Sequence, residues 1–142
     1  MLMMPDAQKV LQKLGLASLG ASEDDLQKLA AVYWYTFEVG LCQAFGKRKI
    51  LGGALITSLE ETSIAMSDQA KVIPLDIEEI TTKYLHSIQY SGLQPFYVQS
   101  PPLQELFPQL EAWLDGFLQR KPFVPSYCEK TKSIIVELKQ KF

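Results

Sequence analysis

Glu38 is the residue in this chain with the sharpest chemical problem. It is the only charge between Lys28 and Lys47. Helical spacing puts it one turn from Trp34, on a stripe with Ala30 and Leu41. An ionised, unpaired carboxylate in such a place costs several kcal/mol. Three escapes exist: it stays protonated, it pairs with a cationic side chain, or it binds a metal. The chain has only two arginines, Arg48 and Arg120. Arg48 lies beyond the expected helix and does not easily fold back. Composition alone favours a structural glutamate that reaches water or a lysine at the helix edge. Metal ligation and acid–base work are the alternatives.

Other reactive groups carry weaker signals. His86 is the single histidine, so two-imidazole metal sites are excluded within this sequence. It stands in a polar stretch and reads as a surface or satisfied histidine. Cys42 and Cys128 form no CxxC pair, which excludes a disulfide scaffold and fits a reducing, cytoplasmic setting. Gly52-Gly53 lacks phosphate-loop spacing. Ser18, Ser58 and Ser63 have no GxSxG elbow. Lys47-Arg48-Lys49 reads as a solvated polar turn.

The whole sequence bounds what can position these groups. Its 142 residues suit one domain, able to bury roughly two-thirds of its unfolded surface. With 47% hydrophobic and 21% charged residues the composition is globular. Fourteen basic against 16 acidic side chains give a net charge of -2, which argues against a nucleic-acid partner. The opening residues lack the basic leader and long apolar run of a signal peptide. Residues 29–46 are too polar for a membrane span.

Periodicity predicts a short helix over residues 5–15, stopped at Gly15. A second helix begins at Ser22, with Glu23, Asp24 and Asp25 in its first turn, and runs to about Gln43. It is apolar nearly all round and so is expected to be enclosed by protein. A short strand and glycine turn are expected over residues 50–58. A helix capped near Ser58 then ends before Asp68, and another covers 76–85. Residues 93–98 read as a strand. Residues 103–118 read as a helix, with Pro108 in its first turn or at a kink. A hairpin follows: 123–127, a turn over 129–133, then 134–138.

The segment Gly15-Leu16-Ala17-Ser18-Leu19-Gly20-Ala21, followed by Leu29-Ala30-Ala31-Val32-Tyr33-Trp34-Tyr35-Thr36-Phe37-Glu38-Val39-Gly40-Leu41-Cys42, closely resembles the pterin-dependent aromatic amino acid hydroxylases. The resemblance runs on through Gly52-Gly53-Ala54-Leu55-Ile56-Thr57-Ser58. It resumes in Leu93-Gln94-Pro95-Phe96-Tyr97-Val98 and in Lys121-Pro122-Phe123. It covers most of residues 15–125 and is poor between about 62 and 90.

The resemblance implies a mostly helical α+β fold: a truncated hydroxylase catalytic domain, its C-terminal portion, spanning 1–142 and ending in a small hairpin. It implies a non-haem Fe(II) held by two histidines and one glutamate, with open positions for oxygen chemistry. Glu38 falls on that glutamate, so iron would be the missing cation. Trp34 falls on an aromatic wall of the amino-acid pocket. Thr57 falls on a serine near the substrate, and Ala54 on a glycine lining the same pocket. Phe37 and Val39 exchange the glutamate's usual small and aromatic neighbours. A family tyrosine just before Leu93 has Tyr84 and Tyr90 as candidates.

The two histidines and most tetrahydrobiopterin contacts are expected upstream of residue 1, in a His-Glu-x-x-Gly-His helix that these residues do not contain. His86 matches neither ligand. A regulatory domain is likewise expected to be missing, and Phe142 stops short of the family's tetramerisation helix. The implied reaction is ring hydroxylation of phenylalanine, tyrosine or tryptophan by O2 and tetrahydrobiopterin. With one ligand of three, the chain alone is expected to bind iron poorly and to turn over nothing. The competing reading is a non-catalytic, degenerate domain that binds a protein partner through a sticky apolar surface.

Overall fold

The computed structural model describes residues 4–90 and 92–139. The opening residues 1–3 and Phe142, to which terminal readings were attached, lie outside them. The described residues are 47% helix and 20% strand, mixed and mostly helical, as the α+β expectation requires. Its contacts group into two compact units, Glu23–Leu106 and Met1–Ser22 with Phe107–Phe142.

The unit Glu23–Leu106 starts with α2 (Glu23–Tyr33), following α1 (Pro5–Ser18) of the other unit. The three acids expected at its start do occupy its first turn. The long apolar helix, however, does not reach Gln43. After Tyr33 the backbone widens into a π-turn, Trp34–Glu38, closed by the Val39 N–H donating to the Trp34 carbonyl at 3.0 Å. Leu41–Ala44 is then a strand, β1. The reason is local. A Cβ on Gly40 would strike the Tyr35 and Thr36 carbonyls, and the Gly40 carbonyl accepts from both Leu51 and Gly52, each at 3.0 Å. The chain can turn out of the helix only where no side chain stands. Nor is the helix enclosed all round: Leu29, Ala31 and Val32 are buried, while Leu26 and Ala30 are exposed.

The basic triplet is not a loop. β2 (Lys47–Ile50) pairs antiparallel with β1 in the register Leu41↔Ile50 to Ala44↔Lys47. Phe45 and Gly46 form the two-residue turn between them, with φ of 54° and 74°. Two successive positive φ values match the twist of a hairpin. Arg48 is half-buried and donates to the Gln99 side chain and to the Ala65 and Ser67 carbonyls. As expected, it does not fold back to Glu38.

The strand expected over residues 50–58 stops at Ile50. One helical turn, α3 (Gly53–Ile56), replaces the rest. α4 (Leu59–Ala65) starts as the sequence indicates, with the Ser58 hydroxyl accepting from the Glu61 N–H at 3.2 Å. β3 (Val72–Pro74) was not anticipated. α5 (Ile77–Thr81) is shorter than 76–85 and is capped by Asp76, which accepts from the Glu79 N–H. The strand expected at 93–98 is shifted to β4 (Tyr97–Ser100). The sheet order is β2-β1-β4-β3, with β4 parallel to both β1 and β3. Leu41, Leu55, Ala65 and Tyr97 meet beneath it, with Ile50, Ala70 and Val72 around them. Each such large side chain contributes about 1.5–3 kcal/mol on burial.

In the other unit α1 continues through Gly15 and ends at Ser18, where the Ser18 hydroxyl donates to the Gly15 carbonyl. The left-handed turn falls instead at Gly20, φ 64°. α6 (Leu103–Arg120) contains Pro108, and its Phe107, Leu110, Leu114 and Phe117 are buried. Lys13 pairs with Asp115 at 3.0 Å, tying α1 to α6. The hairpin stands as read: β5 (Phe123–Cys128) pairs with β6 (Ser133–Leu138), Phe123 opposite Leu138.

Candidate functional site

The π-turn decides where Glu38 points. In a regular α-helix residues five apart do not share a face. The extra residue per turn brings Tyr33 over Glu38, and its hydroxyl donates to Glu38 Oε1 at 2.8 Å. Tyr33 is stacked on Phe37 at 6.0 Å. The carboxylate is half-buried, and among the described residues no lysine or arginine pairs with it. Donating that bond to Glu38, then partial burial and the nearby negative charge, hold the Tyr33 phenol above its ordinary value.

Gly52 and α3 buttress this turn. A Cβ on Gly52 would fall on the Glu38 carbonyl, and one on Gly53 would stand 3.9 Å from the Phe37 oxygen. Ala54, half-buried, and Thr57, exposed, ride on and just after α3. The Thr57 hydroxyl donates to the Ala54 carbonyl at 2.7 Å. The backbone segment carrying Ala54 and Thr57 is therefore beside Glu38, while the Thr57 hydroxyl itself is turned to its own helix.

Trp34, half-buried, donates its indole N–H to Gln94 Oε1 at 3.4 Å. Its ring meets Tyr90 edge-on, 4.8 Å between centroids. Of the two candidate tyrosines, then, Tyr90 touches Trp34. Tyr84 lies against Phe96 at 4.9 Å and accepts the Tyr35 hydroxyl at its carbonyl. Tyr35 is pushed up to about 12 by burial and by neighbouring Tyr90. A cavity of about 260 Å³ beside Tyr90 is lined by Gln27, Ala30, Leu85, His86, Ile88 and Tyr90. His86 thus borders a cavity that Glu38 and Thr57 do not line.

Sequence reasoning missed Tyr33, Gln94 and Glu61. Glu61 is 9% exposed, and its Oε1 accepts from the Gln94 N–H at 2.9 Å and the Tyr97 hydroxyl at 3.0 Å. Burial, then the bond to Glu61, drive the Tyr97 phenol well above its ordinary range. The one available signal for Tyr33 was its spacing of five from Glu38, which has meaning only in a π-turn. Among the described residues no three His, Cys, Asp or Glu side chains converge as a metal site. A half-buried carboxylate without a cation fits one oxygen ligand of a hard or borderline metal; it does not make a complete site.

A profile of the biopterin-dependent aromatic amino acid hydroxylases matches residues 1–141. This chain belongs to that family. It is 33% identical over 131 residues to the phenylalanine-4-hydroxylase of Dictyostelium discoideum, covering 92% of this chain and 28% of that protein. It is 46% identical over 72 residues to the tryptophan 5-hydroxylase of Xenopus laevis, covering 51% and 15%. The iron- and phenylalanine-bound phenylalanine hydroxylase of Chromobacterium violaceum superposes with a TM-score of 0.65 at 25% identity, covering 83% of this chain and 44% of that one. The Legionella pneumophila phenylalanine hydroxylase shares the fold, with a TM-score of 0.68 at 24% identity, covering 84% and 51%. The chain therefore spans about a quarter of the length of the D. discoideum relative and about half of the solved hydroxylases. No helix among the described residues is long and apolar enough to cross a membrane.

Proposed function

We propose that this chain is the C-terminal portion of a catalytic domain that hydroxylates the ring of an aromatic amino acid with O2. It supplies the glutamate ligand of a non-haem iron and one wall of the amino-acid pocket. The observation that carries this reading is Glu38: half-buried, without a cationic partner among the described residues, and set on a π-turn buttressed by Gly52. A bound iron, with tetrahydrobiopterin, would supply the oxygen-activating chemistry. Glu38 would offer one carboxylate oxygen to it, with Tyr33 holding Oε1. Trp34 and Tyr90 would present aromatic faces to a substrate ring, and Ala54 and Thr57 would border it from α3. The exposed face of α2 carrying Leu26 and Ala30 supports a further segment packing there, one that brings the two histidines. Two free cysteines fit a cytoplasmic setting.

The test is a chimera in which this chain replaces the matching segment of the D. discoideum relative. Its iron content and phenylalanine hydroxylation are then compared with and without Glu38→Gln. Loss of iron on substitution is expected. Unchanged iron stoichiometry and turnover would falsify the ligand assignment. The second reading, a non-catalytic protein-binding module, draws on the apolar side chains exposed around α3 and α4, Ile56 at 61% and Leu59 at 86%. A folded chimera with neither iron nor turnover favours it.

A further inference from the structure

Glu61 lies in α4, outside the residues assigned to the pocket, yet it is the most buried carboxylate among the described residues. Both of its bonds come from the segment that approaches Trp34. Gln94 sits in an irregular stretch before β4, so no strand neighbour serves its backbone N–H. The Glu61 carboxylate accepts that N–H at 2.9 Å. The Gln94 side chain is fixed at both ends. Its Nε2 donates to the Gln89 carbonyl at 2.7 Å, which leaves Oε1 to accept from the Trp34 indole at 3.4 Å. Trp34 in turn meets Tyr90.

We propose that Glu61 is a positioning residue for the aromatic wall: through Gln94 it holds the Trp34 ring in place against Tyr90. The inference deepens the pocket reading given above and rests on it for its link to substrate. A purely structural Glu61 would act through Tyr97 and the sheet. The two roles separate because Tyr97→Phe removes one bond to the carboxylate and leaves the Gln94 bond intact.

Trp34 and Trp113 are the two tryptophans, so in a Trp113→Phe background the fluorescence belongs to Trp34. Emission and acrylamide quenching are recorded beside the melting temperature. Glu61→Leu is expected to shift the Trp34 emission to the red and raise its quenching. Glu61→Gln, whose amide oxygen still accepts, is expected to restore both. Tyr97→Phe is expected to lower the melting temperature with Trp34 unmoved. Should Glu61→Leu not fold, Gln94→Met decides, since it removes the acceptor of the indole and keeps the backbone N–H. Parental Trp34 signals in the folded variants overturn the inference. So does a Tyr97→Phe variant that disturbs Trp34 as much as Glu61→Leu. Equilibrium dialysis of phenylalanine against the chimera tests the pocket separately. Weaker binding in Glu61→Leu with iron retained is expected. A chimera that binds no phenylalanine with Glu61 intact sinks the pocket reading and leaves the Trp34 result standing.

Discussion

Cys128 and Cys42 carry the same thiol in opposite surroundings. The Thr131 hydroxyl and the backbone groups of Thr131 and Lys130 hydrogen-bond the Cys128 sulfur and hold it below the ordinary thiol range, against the opposing charge of Glu129. Burial in β1 pushes Cys42 up. The thiolate is the nucleophile, so at neutral pH Cys128 has both the larger reactive fraction and the access. Iodoacetamide is expected to label Cys128 first and Cys42 only after unfolding, as peptide mass spectrometry would show. Thr131→Val is expected to slow Cys128 labelling; equal rates at the two thiols in the native protein would contradict the geometry. The same contrast explains which site residues the sequence exposed. Glu38 stood out because no other charge lies near it in the chain. Glu61 did not, because it follows Glu60 at a helix start, where acids are ordinary. Its partners, Gln94 and Tyr97, are more than thirty residues away.

Glycines at the level of the element have opposite roles in the two units. At Gly52 a Cβ would fall on the Glu38 carbonyl and the Val39 nitrogen, both backbone atoms that cannot rotate away. Gly52→Ala is therefore expected to cost about 2–4 kcal/mol and to displace the π-turn. At Gly15, inside α1, a Cβ would meet nothing within 4 Å, so Gly15→Ala is expected to stabilise by about 0.5–1 kcal/mol. Urea titration of the two variants checks both signs; a tolerated Gly52→Ala would show that the turn does not need that contact. These glycines also mark how far the fold was legible. α4, α6 and the C-terminal hairpin could be read because caps, a 3.6 period and a polar turn all agree locally. β1 could not, since Leu41 and Cys42 continue an apolar run that fits a helix equally well. What ends the helix is Gly40, whose carbonyl is held by the Leu51 and Gly52 N–H groups, eleven and twelve residues away and silent in a periodicity count. β2 was hidden because a strand of Lys47-Arg48-Lys49 has no apolar alternation, and its pairing depends on the Phe45-Gly46 turn.

Across the whole molecule, low net charge and uncovered apolar strand combine. The chain carries -2 at pH 7, with an isoelectric point near 5.4. Every residue of β6 is exposed, including Ile134, Ile135, Val136 and Leu138, the last at 83%. Only Glu137 interrupts that run with a charge, and β6 pairs on one side alone, with β5. An apolar edge strand with open hydrogen-bonding groups is a template for another chain. Above the isoelectric point mutual negative charge opposes such contact, and below it positive charge does so. Carboxylates are taking up protons as the pH falls toward 5.4, so repulsion weakens there first. Light scattering is therefore expected to peak near the isoelectric point and to fall on both sides. Val136→Lys places a charge on the edge and is expected to lower the peak, while moving it slightly upward in pH because one positive charge is added. A conservative Val136→Ile should leave the peak where it is. Scattering that follows pH identically in Val136→Lys and the parent, apart from that small displacement, would assign the association to some surface other than β6.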